Sequence, residues 1–123
     1  MHASPSPRLT AHALALTCAA ALALPTQATP ELEAGHTFFR EKIEPVLRAE
    51  CYDCHSAQAK KLRGDLRLDL KSGLLTGGST GPALVAGDAK SLLLQAIRHE
   101  DPDLQMPPEK PKLPAAVIAD FER

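Results

Sequence analysis

The sequence predicts a small, mostly α-helical domain with long glycine- and proline-rich loops, and three observations carry that reading. Apolar residues recur at helical spacing in three separate segments. Six of the 7 glycines and five of the 11 prolines lie between those segments, where they favour turns and extended chain over regular elements. Aromatic side chains are scarce, with three Phe, one Tyr and no Trp, so a domain of this size has a thin interior unless some other body staples it. A net charge of −1 argues against nucleic acid or an anionic membrane surface as a partner.

Residues 1–28 read as a signal peptide: a polar start with Arg8, an apolar run from Ala13 to Leu24, then Pro25 and small residues ending at Ala28, after which cleavage is expected. The run falls short of the roughly 20 residues that a spanning helix needs, so no membrane anchor is required. A periplasmic or otherwise extracytoplasmic protein follows from this reading. Cys18 lies inside the run and is discarded with it. Residues 29–123 then form a single domain.

From Glu33 to Glu50, the residues Phe39, Ile43, Val46 and Leu47 mark the apolar face of a helix. Pro45 lies within it, lacks an N–H and crowds the preceding turn, which predicts a kink or two abutting helices. The helix leads into Cys51-Tyr52-Asp53-Cys54-His55. Two thiols with two residues between them match the distance between neighbouring vinyl groups of a haem, and a histidine directly after the second is delivered to its iron. The spacing therefore predicts one haem c, bonded through Cys51 and Cys54, with His55 as proximal ligand. Such a porphyrin is also the flat apolar body that the thin interior lacks.

Other uses of these cysteines meet obstacles. A structural zinc ion wants four N or S ligands, and the chain has no second Cys-x-x-Cys. A thioredoxin-like pair wants a βαβ setting, and no apolar β-branched strand precedes the motif. A disulfide between Cys51 and Cys54 closes so small a loop that it adds little stability, and it leaves a non-haem structural module as an alternative.

Residues 56–65 read as an exposed basic loop ending in a turn at Gly64. Leu66, Leu68 and Leu70 alternate with charged residues and predict either an extended segment or a short irregular stretch, the extended one being preferred. Gly73, Gly77, Gly78, Gly81 and Gly87 predict a loop over residues 72–88. A helix capped by Asp88 and running to Arg98 follows, with Leu92, Leu93, Ala96 and Ile97 on its apolar face. Pro102, Pro107, Pro108, Pro111 and Pro114 hold the next stretch extended, and a last helix starts at Pro114 and presents Val117, Ile118 and Phe121.

Met106 stands in that proline-rich stretch and is the one methionine beyond the signal peptide. A thioether binds iron weakly, so a stiff loop that presets its position lowers the ordering cost; Met106 is the expected distal ligand, with gap-filling as the plainer use. His/Met ligation suits electron transfer better than oxygen chemistry. His36 and His99 read better as surface or helix-end residues, and a cation is favoured near the helix C-terminus where His99 falls. Lys60, Lys61, Arg63, Arg67 and Lys71 follow the motif, while Glu100, Asp101, Asp103 and Glu109 flank Met106. These read as solvated faces, or as groups that neutralise a haem propionate or steer a redox partner.

The stretches Phe38-Phe39, Ile43-Glu44-Pro45-Val46-Leu47, Cys51-Tyr52-Asp53-Cys54-His55-Ser56, Gly64-Asp65-Leu66-Arg67-Leu68-Asp69, Gly81-Pro82-Ala83, Ser91-Leu92-Leu93 and Leu104-Gln105-Met106-Pro107-Pro108 resemble the planctomycete-type cytochrome c domain, over residues 36–122. The resemblance implies a class I cytochrome c-like helical domain wrapped around one covalently attached haem, with Cys51, Cys54, His55 and Met106 in the roles above. It implies transfer of single electrons by Fe(II)/Fe(III) cycling, without chemical transformation, between redox partner proteins of unknown identity. The alternative is a haem domain with a labile sixth ligand, serving as a peroxidase-like site or as the electron inlet of a larger enzyme.

Two departures stand out. The family's last helix continues with a Trp-Ile pair and a Gly-Ala turn that do not occur before Arg123, and the domain usually stands at the front of a longer secreted protein, so further domains in a longer natural protein are one expectation. Class I cytochromes also offer the proximal histidine a proline carbonyl soon after the motif. Here no proline occurs between Cys51 and Pro82, which leaves the partner of the His55 ring unassigned.

Overall fold

The computed structural model describes residues 29–123, so the signal peptide expected over 1–28, Cys18 included, lies outside the described residues. Among the described residues the regular elements are helical and no strand forms; one isolated bridge joins Gly78 and Gly81. Helix α1 (Pro30–Phe38) starts after Thr29, whose hydroxyl accepts a hydrogen bond from the Leu32 N–H at 3.3 Å. Pro30 suits a first helical position, and Glu31 and Glu33 complement the positive end of the helix dipole.

The chain then passes through a π turn over Phe39–Ile43 into α2 (Glu44–Glu50). Pro45 explains the wide turn. It has no N–H, and its ring would strike the carbonyl four residues back, so a turn in which the Glu44 N–H reaches the Phe39 carbonyl absorbs the misfit. The kink expected at Pro45 is thus a π bulge just ahead of it, and the helical stretch begins at Pro30 instead of Glu33. The bulge also turns the two halves of the stretch relative to each other. Leu47 is 1% exposed, whereas Phe39, expected on the same buried face, is 39% exposed.

After the single turn α3 (Tyr52–His55) the sequence reading needs three corrections. The segment 66–70 takes the irregular course, the second of its two readings: Leu68 is buried and Leu70 is exposed, and the Leu68 N–H donates to the His55 carbonyl at 2.8 Å, back onto α3. The loop expected over 72–88 is interrupted by α4 (Lys71–Thr76). Its glycine serves close approach, since a Cβ on Gly73 would lie 2.0 Å from the Arg67 carbonyl oxygen. The helix expected from Asp88 is α5 (Leu92–Arg98). Asp88 instead closes a turn by accepting from the Lys90 N–H at 2.8 Å, and the buried Ser91 hydroxyl bonds the main chain of Val85 and Asp88.

A 3-10 turn (Pro102–Leu104) interrupts the proline-rich stretch, and Pro114 caps α6 (Ala115–Glu122). The interior consists of two apolar clusters. In one, Leu94, Ile97, Leu113 and Ile118 pack with Val46, Leu93 and Val117; in the other, Leu47, Leu68 and Ala83 pack with Ile43, Cys51, Tyr52, Leu66 and Leu74. Phe121 packs against both.

Candidate haem site

Cys51, Cys54 and His55 lie together because α2 hands the chain straight to α3. The Cys51 N–H donates to the Leu47 carbonyl at 2.9 Å, and the Cys51 carbonyl accepts from the N–H groups of Cys54 and His55 at 3.1 and 2.9 Å. One helical turn therefore carries both thiols and the imidazole. Both cysteines are free and partly buried. Burial pushes the Cys51 thiol up to about 11; Glu50 adds to the shift and Lys110 opposes it.

The His55 ring is partly buried, which lowers its pKa, while the carbonyls of Leu66 and Arg63 lie close enough to oppose the shift. Neither completes a hydrogen bond to Nδ1, which is buried without a partner. These two carbonyls stand where the sequence offered no proline.

The segment 63–69 folds over the end of α3. The Arg63 N–H donates to the Cys54 carbonyl at 3.0 Å, and the Ala57 N–H donates to Asp69 Oδ2 at 3.1 Å. The Arg67 guanidinium grips both oxygens of Asp69, at 2.7 and 2.8 Å, and holds its carboxyl down to about 2. Arg67 is thereby committed to Asp69, leaving Lys60, Lys61, Arg63 and Lys71 as the exposed members of the basic cluster.

Met106 is partly buried and is attached to the end of α5. Its N–H donates to the Ala96 carbonyl at 3.1 Å, and its carbonyl lies 3.1 Å from His99 Nε2. The Met106–Pro107 peptide bond is cis. A little further on, Lys110 Nζ lies 2.8 Å from Glu50 Oε2, so the loop carrying Met106 is tied to the residue just before Cys51. Beside Glu50, an apolar groove of about 270 Å³ runs between α2 and the start of α6, with Val46, Leu113 and Val117 in its walls.

This donor set fits a haem. Two free thiols share one turn with an imidazole whose buried Nδ1 has no partner, Leu47 and Leu68 pack beside Cys51, and the loop that carries Met106 is linked through Lys110 to Glu50, the residue before Cys51. His36 is exposed on α1, and the Nε2 atom of His99 is engaged with Met106. Among the described residues, no three His, Cys, Asp or Glu side chains gather as a metal cluster, and no helix is long and apolar enough to cross a membrane.

Sequence reasoning missed Asp69, Lys110 and the Leu66 and Arg63 carbonyls. Arg67 and Asp69 carried a weak signal, opposite charges two residues apart. The Glu50–Lys110 pair spans 60 positions and left none.

The family model described as Planctomycete cytochrome C matches residues 51–110, from the first cysteine of the motif to the lysine tied to Glu50. The likeness carried by the motifs holds over that stretch, which is a cytochrome c domain of this family. No curated protein and no solved structure matches the chain.

Proposed function

We propose that this cytochrome c domain is an exported, monohaem electron carrier, with Cys51 and Cys54 as the thioether bridges, His55 as the proximal ligand and Met106 as the distal one. The observation that carries the reading is the grouping of two free thiols and an imidazole with an unpartnered buried nitrogen on one helical turn. The bound group would supply a one-electron Fe(II)/Fe(III) couple. The chain's residues would do the rest. Leu47 and Leu68 back the motif with apolar surface, and the bonds from Arg63 and Leu68 to the carbonyls of Cys54 and His55 fix its main chain. The Ala96 carbonyl holds the Met106 main chain before any ligand is met, so less ordering remains when the thioether binds.

Mass spectrometry of protein made in a strain competent in cytochrome maturation tests this. The peptide containing Cys51 to His55 is expected to carry the mass of one haem. A peptide without it, or one lighter by two hydrogens through a disulfide, overturns the reading. Met106→Ala is expected to keep covalent haem, lose the thioether-to-iron absorption band and lower the reduction potential. An unchanged spectrum removes Met106 from the site. Slow or absent capture of carbon monoxide by the ferrous protein accords with a carrier, and rapid capture with a catalytic haem.

A further inference from the structure

His99 occupies a backbone position that few residues with a side chain take. It ends α5 in the left-handed conformation, φ 55° and ψ 39°, with its N–H bonded to the Ala96 and Gln95 carbonyls and the Glu100 N–H bonded to that of Gln95. This is a Schellman-type terminus, whose left-handed position ordinarily falls to glycine or asparagine because a bulkier side chain strains the backbone there. Nothing in the cap itself asks for an imidazole.

The imidazole has another partner. Its Nε2 lies 3.1 Å from the Met106 carbonyl oxygen, and since a carbonyl can only accept, Nε2 carries the proton and donates it. The Met106 N–H meanwhile donates to the Ala96 carbonyl at 3.1 Å. Both main-chain polar groups of Met106 are therefore bound to the last turn of α5. The next link along the loop, between Lys110 and Glu50, is an exposed ion pair of the kind that contributes little.

We infer that His99 is a positioning residue for Met106: its ring N–H and the Ala96 carbonyl clamp the methionine's main chain and so hold the thioether where the iron can take it. The inference rests on the haem reading above. It assigns His99 no contact with the iron.

Two substitutions separate the ring's role from the backbone's. His99→Gly and His99→Asn both suit the left-handed cap, and neither reaches the Met106 carbonyl as imidazole does. In the oxidised holoprotein, both are expected to retain thermal stability while the thioether-to-iron band weakens. Added imidazole is expected to displace the methionine about fivefold more readily, the factor equivalent to one neutral hydrogen bond. A wild type with the band, and variants with the same band and the same imidazole affinity, overturn the inference and leave the haem reading standing. A colourless wild type overturns the haem reading itself.

Discussion

Truncating Leu47 tests the packing behind the haem motif. Leu47 is 1% exposed, with Ile43 and Cys51 one turn away on either side and Leu68 and Ala83 across from it. Leu47→Ala removes most of a fully buried leucine's transfer free energy and adds the cost of the hole left behind, for a usual total of about 2–5 kcal/mol. Here the hole has little means of closing. Ile43 and Cys51 are held by the hydrogen-bonded backbone on either side, and the methyl group of Ala83 is too short to extend into it, so the cost belongs near the upper end, at about 4 kcal/mol. With a urea m-value of about 1 kcal/mol/M, the unfolding midpoint is expected to fall by about 4 M. For a domain with a total stability of about 5–10 kcal/mol, such a loss leaves it marginal. The assay is urea unfolding of the holoprotein followed by circular dichroism, with Leu32→Ala as control; Leu32 is 50% exposed and its truncation is expected to cost under about 0.5 kcal/mol. A Leu47→Ala cost below about 1 kcal/mol, or one equal to the control's, refutes the reasoning.

Gly73→Ala lies in α4, where helix propensity alone favours alanine by about 1 kcal/mol. The new Cβ would meet the Arg67 carbonyl at 2.0 Å, so the melting temperature is expected to drop by about 10 °C, and a rise on calorimetry would show that the two backbones do not approach so closely. Asp69 has its carboxyl held at about 2, below the ordinary 3.8, so its contribution to stability is present above about pH 4 and is lost as the pH falls toward 2. Asp69→Asn is expected to flatten the urea midpoint against pH between about 5 and 2. Parallel curves for the two proteins would rule out that carboxylate as a source of the acid sensitivity.

The parts of the fold governed by local rules were legible in the sequence. Helical periodicity announced α2, α5 and α6, the order of cysteines and histidine announced the turn that groups them, and Pro114 marked the start of α6. The remainder depended on neighbours distant in the chain. Gly73 looked like flexibility until the Arg67 carbonyl was seen lying against it. Leu66, Leu68 and Leu70 alternate like a strand, yet the Leu68 N–H meets the end of α3 and finds no partner strand. Asp88 has the chemistry of a helix cap and spends it on a turn, because Ser91 is already buried against Val85 where the helix would have begun. At the site, Cys51, Cys54, His55 and Met106 were all marked in advance as candidates. What holds them in place was not, since main-chain carbonyls such as those of Leu66 and Arg63 leave no trace in a string of side chains.

Phe121 belongs to both apolar clusters, and it sits on α6, the last of the helices. A ring shared in this way couples two half-interiors, so loosening either one removes support from the other. The domain is accordingly expected to melt in a single cooperative step, with secondary structure and the environment of Tyr52 changing together. Without α6 the first cluster also loses Val117 and Ile118, so the docking of this helix completes one half-interior and joins it to the other.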